Sequence, residues 1–150
     1  MKFSTRQDTD LSAEVMFAAI SDFPMLERML VRRGAVVRRL DREPSGHVGN
    51  AWAISFDWRG RQRDLRLEVT TFQPKELIVM SGQSEQFLIS IQMTVVALSP
   101  SKSRLIFEVD VQPRGMKARL LLQTAKLGKG QLDRKFALRI EEFITRAAVG

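Results

Sequence analysis

The 150-residue sequence predicts an α+β fold: a seven-stranded, curved antiparallel sheet wrapped around a long C-terminal helix, with two short helices after the first strand. Three observations carry this. The segment from Met116 to Ala148 repeats apolar or small residues at Ala118, Leu121, Ala125, Gly128, Leu132, Phe136, Ile140, Phe143 and Ala147. Those steps of three and four are one face of an α-helix. Between Ala35 and Val111 the hydrophobic period is instead two, broken at hairpin intervals by Gly, Pro and Ser. Before that region, two short stretches with helical spacing follow one alternating segment.

Taken in order, residues 2–10 alternate Phe3, Thr5 and Gln7 against Ser4, Arg6 and Asp8, a half-polar first strand. Ser12 stands where an N-cap belongs, with Glu14 in the first turn favouring the helix dipole, and Val15, Ala18, Ala19 and Asp22 follow at helical spacing. Phe23-Pro24 interrupts this helix. Pro24 suits the first turn of a second short helix carrying Met25, Leu26, Met29 and Leu30, which Gly34 ends. Val37 to Leu40 then forms a strand before the turn cluster Glu43-Pro44-Ser45-Gly46. Trp52, Ile54, Phe56 and Trp58 share one strand face, and Arg59-Gly60 is a compact hairpin candidate. Leu65, Leu67 and Val69 continue the alternation to Gln73-Pro74-Lys75; Leu77 to Met80 is a fifth strand, and Ser81 to Glu85 a turn region. Phe87 to Val95 and Leu105 to Val111 supply the last two strands, and Pro113 and Gly115 release the helix.

Seven strands at hairpin spacing imply an antiparallel sheet with one face buried and one mostly wet. The terminal helix, about 50 Å long if continuous, is the available cover for the buried face. Gly128 and Gly130 each cost roughly 1 kcal/mol against Ala inside a helix, yet the spacing passes Gly128 without slipping. It therefore predicts one helix, bent at most, with Gly128 on the stripe facing the sheet. On that reading Gly128→Leu fills space beneath the helix.

Composition narrows the chemistry. Length sets one domain, residues 1–150, and 44% hydrophobic with 27% charged residues is ordinary globular composition. With no Cys and the single histidine His47, thiolate sites, disulfides and imidazole-rich metal sites are excluded. No cofactor is implied. No apolar run approaches the ~18 residues of a membrane span, and the N-terminus has no signal-like apolar region, so a cytoplasmic protein is expected. There is no Gly-x-Ser-x-Gly elbow, His47 falls in a Gly-flanked turn, and Tyr is absent. Gly128-Lys129-Gly130 lies inside a helix pattern and is no phosphate loop. Glu108 with Asp110 and Glu141 with Glu142 read as solvated surface charge.

The net charge of +7 comes from three groups: Arg32, Arg33, Arg38, Arg39 and Arg42; Arg59, Arg61, Arg63 and Arg66; and Lys126, Lys129, Arg134, Lys135 and Arg139. They read either as solvated faces or as contacts for an anionic macromolecule. No nucleic-acid motif is present and no aromatics are interleaved on those faces for base stacking, so no specific nucleic acid is expected. Leu120, Leu127 and Leu138 fall away from the main helix stripe. They read as a weak homodimer or partner surface, or as scattered exposed leucines.

The order β-α-α-β-β-β-β-β-β-α resembles the helix-grip fold of the START-like (SRPBCC) superfamily, which holds birch-pollen-type allergens, START lipid-transfer domains, polyketide cyclases and coenzyme Q-binding proteins. Residues 11–30, with Ser12, Val15, Phe17, Asp22 and Pro24 in order, are similar to a segment of bacterial polyketide cyclase/dehydrase-like members. Residues 132–143 are similar to their closing helix. The resemblance implies a cavity between sheet and helix for a small hydrophobic or amphipathic ligand such as a lipid, quinone or aromatic polyketide-like molecule. The candidate lining residues are Trp52, Phe56, Trp58, Leu67, Met93, Phe107 and Val109 on the strands. From the helix come Leu121, Ala125, Gly128, Leu132 and Phe136. Plain core packing is the alternative for each. A cyclase- or dehydrase-like enzyme is the second reading, with Thr5, Gln7 and the indole N–H groups as its inward polar groups; a basic module for an anionic macromolecule is the third.

Overall fold

A computed structural model describes residues 1–58 and 60–149. Its elements are β1 (Lys2–Thr9), α1 (Ala13–Ile20), α2 (Phe23–Arg32), β2 (Val36–Arg39), β3 (Ala51–Trp58), β4 (Arg61–Gln73), β5 (Leu77–Ser84), β6 (Phe87–Ser99), β7 (Lys102–Pro113), α3 (Met116–Lys126) and α4 (Lys129–Val149). The seven strands form one sheet in the order β1-β7-β6-β5-β4-β3-β2, with every neighbouring pair antiparallel. The helices cover its concave face.

The start signal read at Ser12 operates as such: its hydroxyl accepts the Val15 N–H at 3.2 Å. Asp22, which the spacing places on the first helix, instead caps the second, its carboxylate accepting the Met25 N–H at 3.2 Å. Gly34, at φ +95°, closes α2. There the Ala35 N–H bonds to the Leu30 carbonyl and the Gly34 N–H to the Val31 carbonyl, the paired bonds of a Schellman cap. Trp58 pairs with Arg61, and Gly60 before it has φ +73°, as a tight hairpin requires. Arg59, the other residue of the expected turn, lies outside the described residues.

The core sits under α1 and the start of α2. Met16, Ile20 and Phe23 are buried against Val69, Ile78 and Leu105. Phe17 meets Phe72 edge-on at 5.5 Å, and Phe23 meets Trp52 edge-on at 5.2 Å. α4 packs chiefly on β1 and adds Ile140 and Ile144 to the core. Its line over the β1 edge is pinned by Gln7, whose side-chain amide donates to the Ala137 carbonyl at 3.1 Å.

Two expectations need correction. The terminal helix is not continuous: α3 ends at Lys126 and α4 begins at Lys129. At the joint, the Leu127 and Gly128 N–H groups reach back only three residues, to Thr124 and Ala125, which is a tightened turn of 3₁₀ type. Gly128 is exposed, and a Cβ built on it would meet nothing closer than the Ala125 carbonyl oxygen at 3.9 Å. The spacing survives the joint because Leu127 keeps right-handed helical angles (φ −63°, ψ −29°), so period alone does not register the break. The second correction concerns residues 81–84, which belong to β5 rather than to a turn. Gly82 marks a close approach there: a Cβ would lie 3.2 Å from Ile89 Cβ and 3.3 Å from Leu65 Cδ1.

Candidate functional site

Alternation along the strands places Trp52, Ile54 and Phe56 of β3 on the concave face, opposite Leu67, Leu65 and Arg63 of β4. Met80, Ile91, Met93 and Phe107 extend this apolar floor across β5 to β7. Above it, α2 presents Phe23, Leu26 and Leu30, which helical spacing aligns on one side, and α4 presents Ile140 and Phe143. Helices and floor do not close on one another. They border a half-open cavity of about 690 Å³, within the range of about 300–1,000 Å³ usual for small-molecule sites.

Four charged residues enter an otherwise apolar lining: Glu27, Arg33, Asp57 and Arg139. Glu27 is tied to the floor, since the Trp52 indole N–H donates to its Oε1 at 2.5 Å. Trp52 is itself held from three sides. Phe23 meets its ring edge-on, Glu27 takes its N–H, and the Arg39 guanidinium lies 5.6 Å from its centroid. Arg39 is fixed in turn by Asp41, at 3.1 and 3.3 Å, and by the Glu43 carbonyl at 2.8 Å.

Asp41 organises the 40–50 loop beside the cavity. It accepts the Ala51 N–H at 2.8 Å, the Asn50 side-chain amide at 2.9 Å and the Glu43 N–H at 3.0 Å. The Arg39 guanidinium holds its carboxyl well below the usual carboxylate range; burial opposes this, and the donors from Ala51, Asn50 and Glu43 add to it. Asn50, fully buried, uses its carbonyl oxygen to accept the Gly46 and His47 N–H groups, each at 3.0 Å. His47 is thus an exposed turn residue whose backbone is used, away from the cavity lining.

Of the twelve residues read from the sequence as lining, Trp52, Phe56, Leu67, Met93 and Phe107 come together around the cavity. The other seven do not. Trp58 sits at the end of β3 with the Arg63 guanidinium 5.3 Å from its ring centroid. Val109 pairs with Phe3 and Ile91 nearer the β1 edge. Leu121 and Ala125 are half-buried on α3, Gly128 lies in the exposed joint, and Leu132 is half-buried early in α4. Phe136 packs on Phe107 at 5.5 Å and Phe3 at 6.0 Å. The physical reason is the path of α4 over β1: its first half covers the sheet edge, and only Arg139, Ile140 and Phe143 reach the cavity. Of the polar groups read as inward, Gln7 is spent on Ala137 and Thr5, while the Trp52 indole does face the cavity.

Sequence reasoning missed Glu27. Within MLERML it looks like a solvated helix charge, but Phe23 and Glu27 are four apart, so they share one helix side. That spacing was the available signal.

A second depression, about 590 Å³, lies on the outer face of β2 to β5 and brings Arg38, Arg66 and Arg114 together with Asp64 and Glu85. Among the described residues, no group of three or more His, Cys, Asp or Glu could hold a metal ion, and no helix is long and apolar enough to cross a membrane.

No family model matches the sequence, and no curated protein matches it. Solved structures do. An aromatase/cyclase from Streptomyces sp. R1128 superposes with a TM-score of 0.67 at 15% identity, covering 100% of this chain and 98% of that one. A START superfamily protein from Mycobacterium smegmatis gives 0.62 at 17% identity, covering 94% and 97%. A protein from Thermus thermophilus gives 0.72 at 9% identity, covering 99% and 98%. At these identities the likeness is one of fold. The chain adopts a helix-grip fold like that of these structures.

Proposed function

We propose that the protein binds a small, largely apolar molecule between sheet and helices, with one hydrogen-bond donor of that molecule directed at Glu27. The observation that carries this is the cavity of about 690 Å³, apolar on nearly every side, with the Glu27–Trp52 pair set into its wall. Apolar side chains left unfilled by protein forgo contacts that a ligand can supply. Glu27 Oε1 is engaged by Trp52, and Oε2 can accept from a hydroxyl or phenol. Likeness to a START superfamily protein supports the same reading.

Native mass spectrometry and a thermal-shift panel of fatty acids, quinones and hydroxylated aromatic polyketides test it. Adducts with members that carry a donor, and upward shifts that grow with ligand concentration, are expected. No adduct and no shift with any member would overturn it.

A second reading, a cyclase-like enzyme, is favoured by one observation: Glu27 places a carboxylate within an apolar wall, where a general base is used in proton abstraction. The fold likeness to an aromatase/cyclase agrees with it. Turnover of a poly-β-keto substrate that disappears in Glu27→Gln supports this reading; binding of the same compound without turnover supports the carrier.

A further inference from the structure

The two-helix terminus presents a surface that the cavity does not use. On α3, Ala118 is buried against the body of the molecule, and three large apolar residues point the other way: Met116 at 67% exposure, Leu120 at 56% and Leu127 at 90%. At 100° per residue, positions 116, 120 and 127 fall within about 40° of one another, and position 118 lies on the opposite side. Lys117 flanks this stripe on one side, Arg119 and Lys126 on the other. The stretch from 116 to 135 carries six cations and a single carboxylate, Asp133. Asp133 is taken by Lys129 at 2.9 Å, whereas Lys117, Arg119, Lys126, Arg134 and Lys135 pair with no carboxylate among the described residues.

We infer that this face of α3 and the α3–α4 joint docks reversibly on an anionic lipid surface, with Met116, Leu120 and Leu127 entering the headgroup boundary and the flanking cations meeting lipid phosphates. An outward apolar stripe bordered on both sides by Lys and Arg is the pattern of an interfacial helix. The charge is complementary to anionic headgroups and faces them as separate point charges, which suits mobile lipids. The stripe is a convex row on one helix, so it supplies no groove for a partner's side chains. From residue 108 to residue 135 there is no aromatic residue, so nothing on this face stacks nucleic-acid bases. The break at Gly128 contributes geometrically: Leu127, beside it, is the most exposed of the three stripe residues.

Vesicle co-sedimentation of the full chain tests this, using phosphatidylcholine vesicles with and without phosphatidylserine. Binding is expected only with phosphatidylserine and should fall as salt rises. Lys117→Gln and Lys126→Gln should each lower partitioning roughly fivefold. Met116→Ser, Leu120→Ser and Leu127→Ser together should lower it at least roughly tenfold. Arg38→Gln with Arg66→Gln, on the outer sheet face, should leave it unchanged. Unchanged thermal midpoints establish that the variants fold, and Leu127→Ser alone serves if the triple variant does not. The inference is overturned by no binding to phosphatidylserine vesicles, by equal binding to pure phosphatidylcholine, by binding indifferent to the stripe variants, or by a sedimenting dimer that the stripe variants dissociate. Tighter binding to single-stranded RNA through the same lysines would assign the face to a different partner and overturn it as well.

Discussion

Trp52 and Glu27, 25 positions apart, are joined by a hydrogen bond that ties β3 to α2 across the wall of the cavity. Phe23, the first residue of α2, is the one fully buried side chain of that helix; Leu26 packs partly buried against the same core, and α2 also meets β2. The bond therefore fixes the middle of α2 over a space that apolar contacts leave unfilled, and it sets the height of the cavity roof.

Removing the donor should loosen that roof. Trp52→Phe keeps an aromatic ring but leaves the Glu27 carboxylate without its indole partner, at an expected cost of about 1–2 kcal/mol for a half-buried charged acceptor. Glu27→Gln keeps a carbonyl acceptor and should cost less, under about 1 kcal/mol. Urea unfolding of both single variants and of Trp52→Phe combined with Glu27→Gln closes a double-mutant cycle. Because glutamine can still accept the indole N–H, the coupling reports the charge-dependent part of the bond, and a value near zero would show that the Glu27 charge adds nothing to it.

The Asp41 network should make acid stability local to the 40–50 loop. The folded carboxyl is held below its ordinary value, first by Arg39 and then by the N–H donors, so the unfolded chain takes up the proton more readily. The stabilisation is therefore fully present above the unfolded value of about 3.9 and is lost as pH falls below it. Asp41→Asn should be less stable than the parent at pH 7, with the difference shrinking below about pH 4. Thermal midpoints across that range check this; a difference that persists unchanged under acid conditions would assign the defect to packing instead.

The strand faces and the helix ends at Ser12, Pro24 and Gly34 were legible because each rests on a local rule. Alternation fixes which strand residues face inward, and Ser12, Pro24 and Gly34 act within one turn of their own positions. The location of the cavity was legible only in part. Trp52, Phe56, Leu67, Met93 and Phe107 follow from strand parity. Which stretch of the terminal helix stands over them depends on where that helix crosses the sheet, and Gln7, Phe3 and Phe107 decide that through long-range contacts. Periodicity carries no information on the crossing. Glu27 was hidden for a related reason, since an isolated acid on a short helix reads as surface until its partner on another element is known.

Gly128 separates the two readings of the terminal segment. On a continuous helix facing the sheet, Gly128→Leu would occupy the cavity and reduce ligand uptake. With Gly128 in an exposed joint, open space around it and no left-handed φ, Gly128→Ala should stabilise by about 0.4–1 kcal/mol by restricting the unfolded chain. Gly128→Leu should be tolerated with ligand uptake unchanged. Thermal unfolding and the adduct assay together check both statements. A drop in uptake with Gly128→Leu would mean that α3 and α4 approach the cavity in solution more closely than the joint allows.

The most direct physical test of the cavity compares two ways of adding volume beneath the helices. Gly82 and Ile91 lie on neighbouring strands, β5 and β6, but only Ile91 borders the cavity. Around Gly82 the space is already taken by Ile89, Leu65 and Leu67, so Gly82→Val has to displace packed side chains and should cost about 1–3 kcal/mol. Ile91→Phe adds atoms to a site whose opposite side is empty, and the larger side chain gains contacts there that isoleucine lacks. Its stability should be unchanged or slightly higher, while adducts of bulky ligands weaken. Urea midpoints paired with native mass spectra distinguish the cases. If Ile91→Phe proves as destabilising as Gly82→Val, the sheet and helices have closed on one another in solution and the cavity is not there to be filled.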